Sequence, residues 1–200
     1  MAFAYKLFRV SKRYKGCIFP LYVNADKPTP IGVWLEAECG EQTANGKVKS
    51  RLGELCYRPA WHLSEYPLAT HIGVKGATGA IEMMKPDTVW CFCEYSDRVN
   101  YQELADRNGY VNGKFVPKNA YIKQVPVNGY YRYKTNPNMF GTWILAGEIK
   151  VIKVLTDEEV AQILRMYNLP VMPRKGGAIK LTDYALDYTT LCMQTAVINR

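Results

Sequence analysis

The run Thr88-Val89-Trp90-Cys91-Phe92-Cys93-Glu94-Tyr95 constrains this chain more than any other stretch. Val89 to Cys93 are all apolar and strand-prone, so the segment predicts a core strand on which a sheet must be built. Residues 3–10, rich in aromatic and β-branched side chains, predict a second strand. A basic turn from Ser11 to Gly16 follows, and residues 17–23 return as the hairpin partner. Further strands are expected over 55–62 and, as one long element, over 143–155. Residues 31–39 fit a short helix or a strand. Asn112-Gly113 and Asn128-Gly129 are hairpin dipeptides.

Helical signals are fewer. Residues 97–108 predict a short helix. Thr156 with Glu159 three residues on forms a capping box, opening a helix from Asp157 to about Asn168, before Pro170. Val160, Ile163, Leu164 and Tyr167 share one face of it. Ser64 is expected to cap a short helical turn containing Pro67, and Thr182 a last short helix through Cys192. Residues 40–53 and 74–80 read as loops. The fold class is therefore α+β, a twisted, mostly antiparallel sheet with one or two packed helices. Residues 1–170 form a single domain in this reading, and 171–200 a linker and a short helix packed on it.

The chain has 200 residues, 48% of them hydrophobic and 22% charged, which supports a real core and excludes wholesale disorder. No stretch reaches the length of a membrane helix, so no membrane role is expected. The N-terminus lacks the apolar run of a secretion signal. Six cysteines are then expected as free thiols in a reducing cytoplasm. Cys91 and Cys93 alternate to one face of their strand, but no second cysteine or histidine pair stands at finger spacing, so no metal site is expected.

The net charge is +8 and tyrosine is the commonest aromatic, with 15 residues, which points to an anionic partner and a half-wet aromatic surface. Between 111 and 153, Lys114, Lys118, Lys123, Arg132, Lys134, Lys150 and Lys153 face a single acid, Glu148, with tyrosines interleaved. The first strand and its turn add Lys6, Arg9, Lys12, Arg13 and Lys15. Cations grip phosphates without reading sequence, and aromatic faces stack on unpaired bases. In Tyr130-Tyr131-Arg132-Tyr133-Lys134, alternation puts Tyr131 and Tyr133 on one face and Tyr130, Arg132 and Lys134 on the other. The plainer reading of that piece is an edge strand protected by charge.

Tyr57 to His71 is the candidate catalytic stretch, since it holds both histidines. His62 and His71 would supply a base and an acid, and Arg58 a phosphate clamp. If the strand continues through 64, Trp61 and Leu63 point into the core, and His62 and Ser64 join Arg58 on the other face. A metal triad of His62, Glu65 and His71 would be irregular in spacing and is not expected.

The Tyr57–His71 run resembles a family of small uncharacterised proteins from bacteriophages of gut bacteria. The similarity extends over Lys6-Leu7-Phe8-Arg9, Trp34 to Glu38, Val89 to Glu94 and Gly141-Thr142-Trp143, most of residues 5–155. It implies a phage setting in a host cytosol, where small basic proteins handle DNA or block host defences, CRISPR nucleases included. A second, looser resemblance is to ADP-ribosyltransferases, through the order Arg9, then His62 and Ser64, then Glu148. The chain lacks that family's Ser-Thr-Ser run and its Glu-x-Glu pair.

The leading expectation is a small accessory protein that binds nucleic acid or a nucleic-acid-bound host machine. Its contact residues would be Arg9, Lys12, Arg13, Lys114, Lys118, Lys123, Tyr130, Arg132 and Lys134, with no cofactor. The alternative is an enzyme, transferase or nuclease, centred on Arg58, His62, Ser64 and His71, with NAD as cofactor only in the transferase case. A structural virion protein is the third reading. Oligomeric state is left open, since no coiled-coil seam is present.

Overall fold

The computed structural model describes residues 1–134 and 139–186, apart from the side chain of Lys118. One nine-stranded sheet organises them. Its strands are β1 (Ala2–Val10), β2 (Ile18–Phe19), β3 (Trp34–Glu36), β4 (Trp61–Ser64), β5 (Thr88–Tyr95), β6 (Val99–Asn100), β7 (Gly129–Tyr133), β8 (Trp143–Ala146) and β9 (Glu148–Val154). The hydrogen-bonded order is β6-β7-β8-β4-β1-β5-β9-β3, with β2 paired to the end of β1. Only β6 and β7 run parallel. The α+β reading is correct, and the expected core strand lies near the middle of the sheet. β5 pairs with β1 along its whole length, from Ala2 opposite Tyr95 to Arg9 opposite Thr88.

The connection between β8 and β9 dictates the shape. A single residue, Gly147, separates them in the chain, yet β4, β1 and β5 lie between them in the sheet. Flat, they would be roughly 19 Å apart at ~4.8 Å per strand. Two peptide units span at most about 7 Å. The sheet must therefore roll until the two meet. Two contacts mark the concave side. Tyr95 on β5 meets Tyr130 on β7 edge-on at 5.5 Å, and the Trp61 indole N–H on β4 donates to the Leu35 carbonyl of β3 at 2.9 Å. The expected single strand over 143–155 is thus two strands joined at a corner. Gly147 sits where both edges converge. Its N–H donates to Gly129 and its carbonyl accepts from Ala37. A Cβ there would lie 1.9 Å from the Pro126 carbonyl oxygen, so no other residue fits without backbone movement.

Rolling gives the sheet two cores. The concave interior holds Ala4, Phe8, Leu63, Val89, Cys91, Cys93, Ile144, Ile149 and Val151, and is closed at one end by Leu181 and Leu186. The convex side holds Leu7, Trp90, Tyr131, Trp143 and Leu145. It is covered partly by α1 (Gln102–Gly109), through Ala105, and by α2 (Asp157–Met166), through Val160 and Leu164. The capping box at Thr156 and Glu159 is present in full, and the helix ends two residues earlier than expected.

Several expected elements differ for identifiable reasons. Pro20 cuts the predicted 17–23 strand to Ile18–Phe19, and Pro59 delays the predicted 55–62 strand to Trp61, because proline has no donor for the ladder. Ser64 ends β4 rather than capping a helical turn. Asn112-Gly113 does close a two-stranded ribbon, with both residues at positive φ. Asn128-Gly129 does not. The Gly129 N–H closes a turn onto the Pro126 carbonyl instead, and the Tyr101 ring would stand 2.2 Å from a Cβ at Gly129, so glycine there also serves a close approach. Both expected loops carry short ribbons, Val48–Ser50 with Gly53–Leu55 and Val74–Lys75 with Ile81–Met83. The expected helix at Thr182 is a 3-10 turn, Leu181–Tyr184, as far as residue 186. Its remainder to Cys192 lies outside the described residues.

Candidate functional site

On β4, Trp61 and Leu63 face the interior, and His62 and Ser64 face the convex side, as alternation requires. His62 is tied to Arg58. Its Nε2 stands 3.0 Å from the Arg58 carbonyl, which fits a neutral ring donating through Nε2. The Arg58 guanidinium lies over the Tyr133 ring at 4.3 Å and the Tyr121 ring at 5.4 Å. Desolvation lowers the His62 pKa to about 4, and the charges of Lys6 and Arg58 push the same way. The ring itself is solvent-exposed. Water there offsets part of the desolvation, so the direction matters more than the size.

The other members of the proposed catalytic set lie apart from this pair. The Ser64 hydroxyl is fully buried and, among the described residues, donates to the Leu68 carbonyl at 3.5 Å. A nucleophile needs access to substrate, and Ser64 has none here. His71 packs edge-on against Trp143 at 5.6 Å, and burial lowers its pKa. Among the described residues no hydrogen bond joins the two histidines. Glu65 accepts from the N–H and hydroxyl of Thr142 and pairs with Arg132 at 3.6 Å. The transferase-like set is likewise spread out. Arg9 lies at the Thr88 end of the β1–β5 ladder, while Glu148 lies beyond the opposite end, next to the Ile149–Tyr95 pair. Among the described residues no group of three or more His, Cys, Asp and Glu could hold a metal ion. Cys91 and Cys93 do share a face, and burial pushes both thiols up, Cys93 to about 12.

The cationic residues separate into structural and free groups. Arg9 donates to the Ala25 carbonyl at 2.7 Å and lies over Phe19, so it fastens the 24–29 loop. Arg132 is held by Thr142 and Glu65. On the second face of the 130–134 strand, Tyr130 is half-buried against Tyr95, whereas Arg132 and Lys134 are exposed. Lys114, Lys123 and Lys134 are exposed on the lobe that carries α1, and Lys118 lies outside the described side chains.

A denser group stands at the Thr88 end of the roll. The turn after β1 carries Lys12, Arg13 and Lys15, all exposed. Backbone bonds from Gly16 to Tyr184, Val10 to Asp87, Met84 to Pro173 and Lys175 to Met84 bind this turn, the 84–88 loop and the 173–184 segment into one end. That end also carries Lys85, Arg174, Lys175 and Lys180, against Asp87, Asp157 and Asp183. Asp157 is spent on Arg174, and Asp183 pairs weakly with Lys12 at 3.6 Å. Tyr14 stands exposed beneath Arg13, and Tyr184 lies beneath Lys12. The sequence showed Lys12, Arg13 and Lys15 but not that residues 173–184 return beside them, since no local pattern encodes that contact.

Sequence reasoning also missed Lys6 as a special position. It reads as one more cation of the first strand, yet register places it opposite Cys91 on the interior face. No family model, curated protein or solved structure matches this chain.

Proposed function

We propose that the protein binds nucleic acid through the cationic end formed by Lys12, Arg13, Lys15, Lys175 and Lys180. The observation that carries this reading is the convergence of three separate chain segments to put a surplus of solvent-facing cations around an exposed tyrosine. Phosphates would be held by the cations, and Tyr14 offers a ring on which an unpaired base can stack for about 1–3 kcal/mol. The partner is nucleic acid alone or a nucleic-acid-bound host machine, the setting that the likeness to small phage proteins implies.

The test is binding to single-stranded and duplex DNA and RNA across a salt series. Each lost phosphate contact lowers the slope of log affinity against log salt by about 0.7–0.9. Arg13→Glu with Lys15→Glu should weaken binding and flatten that slope. Lys123→Glu, on the far lobe, should leave both nearly unchanged. Absent binding at low salt, or an affinity indifferent to salt, overturns the reading. An effect of Lys123→Glu alone moves the site to the α1 lobe.

A further inference from the structure

A groove of about 450 Å³ runs between the end of β9 and the 179–186 segment, at the mouth of the roll. That volume falls in the ordinary range of small-molecule pockets. Three pieces of chain wall it. Ile152 and Val154 come from β9, Ile31 from the segment before β3, and Ile179, Leu181 and Leu186 from the returning segment. Each piece is fastened. The Gly32 N–H donates to the Val151 carbonyl at 2.8 Å and seats Ile31 beside β9. The Ile179 N–H donates to Asp157 at 3.0 Å, and the Gly16 N–H to the Tyr184 carbonyl at 2.7 Å. Ile152 is the extra residue of the bulge between Val151 and Lys153, where the register of β9 against β5 shifts. A bulge re-aims a side chain, and Ile152 is left 36% exposed at the groove instead of packed in the sheet. The rim is polar. Lys153 and Glu159 neutralise each other there, and Thr156 is engaged in its capping box. The acids of this end are spent, Asp157 on Arg174, Glu159 on Lys153 and Asp183 on Lys12. Lys180 is exposed at the rim beside Thr182, and among the described residues no carboxylate pairs with it.

We propose that this groove binds a small amphipathic monoanion, a medium-chain carboxylic acid, with its alkyl chain against Ile31, Ile152 and Leu186 and its carboxylate at the rim beside Lys180. Aliphatic walls reward the removal of apolar surface from water and offer no hydrogen bond to a polar body. A single cation without an acid at the edge selects a single anionic head. The head keeps contact with water at the rim, so its charge is not buried. The walls are held by backbone bonds, so no ordering of the chain opposes binding. Lys180 is shared with the cationic end, but Ile152 is not, and the site stands whether or not nucleic acid binds.

The full chain is titrated with anilinonaphthalene sulfonate, whose fluorescence rises in an apolar site, and the bound dye is then displaced by decanoate or by the neutral decanol. Decanoate should displace it at submillimolar concentration. Ile152→Asp alters a partly exposed residue at a bulge, so the urea midpoint should be nearly unchanged, while decanoate should bind about tenfold more weakly or worse. Lys180→Ala should weaken decanoate about two- to fivefold, the size of an exposed ion pair, and leave decanol unchanged. A second copy of the chain seated in the groove would exclude the dye, and absent dye binding overturns the proposal. Dye that decanoate fails to displace, or decanoate binding that Ile152→Asp leaves intact, overturns it too. So does an equal loss of decanoate and decanol in Lys180→Ala.

Discussion

Replacing Lys6 by methionine tests whether the roll holds an ammonium without a carboxylate beside it. The fall in its pKa from 10.5 to about 8 measures how much the folded state disfavours the charge. At about 1.4 kcal/mol per unit this is about 3.5 kcal/mol, and residual contact with water trims it to about 2–3 kcal/mol. Methionine fills similar volume without charge, at the expense of leaving the His62 carbonyl without its donor, about 1 kcal/mol. Lys6→Met should therefore stabilise the protein by about 1–2 kcal/mol at neutral pH. The pH dependence gives the sharper test. Below pH 8 both folded and unfolded chains carry the proton, and the penalty is complete. Between about 8 and 10.5 the folded state has released the proton that the unfolded chain keeps, so the natural protein gains stability as pH rises and the advantage of methionine shrinks. Tyr131, raised to about 12 by burial, acts in the opposite direction in both chains. The Lys6 charge lowers the pKa of Cys91 and Cys93 against the rise that burial causes, so the difference between the two proteins reports Lys6 together with its effect on the two thiols. Urea unfolding from about pH 6.5 to about pH 9.5 measures it. A variant less stable than the natural protein near pH 7, or a difference that stays flat over that range, would refute a charge penalty at Lys6.

Gly147→Ala should cost about 3 kcal/mol or more, because the new methyl meets the Pro126 carbonyl and the Val127 backbone at the corner of the roll. An unchanged urea midpoint would show that the corner can open without strain. Arg174 is almost fully buried and donates twice to Asp157, and to the carbonyls of Lys85 and Thr88. Arg174→Ala should cost about 3–5 kcal/mol by stranding the Asp157 charge and two carbonyls. Although burial alone would raise the Asp157 pKa, its bonds to Arg174 and to the Ile179 N–H hold it below the ordinary value. Its stabilisation is present above the ordinary carboxylate range and lost as pH falls through the lowered value, so the variant's stability should respond less to acid. An acid limb identical in both proteins would refute that link.

What the sequence made legible was what short-range periodicity encodes. Thr88 to Tyr95 is read correctly because every residue there favours a strand, whichever face it serves. The capping box is read correctly because both partners lie within one turn. The inward position of Trp61 and Leu63 follows from alternation once the strand is placed. The same alternation names the faces of residues 130–134, with Tyr131 buried on one and Arg132 and Lys134 exposed on the other. What it does not show is that rolling closes Tyr130 on Tyr95 four strands away.

That closure depends on Gly147, and a glycine within a run of strand-formers carries no local sign that it turns a corner. Once the corner exists, the rest follows from geometry. It joins the end of β8 to the start of β9 and turns the Lys6 face inward. The same arrangement leaves Ser64 sealed beneath the convex core, where its neighbour His62 keeps contact with water. The Tyr57–His71 stretch therefore supplies a wall of the roll more than a catalytic centre. Its Trp61 ring and His62 carbonyl hold the Lys6 ammonium in place.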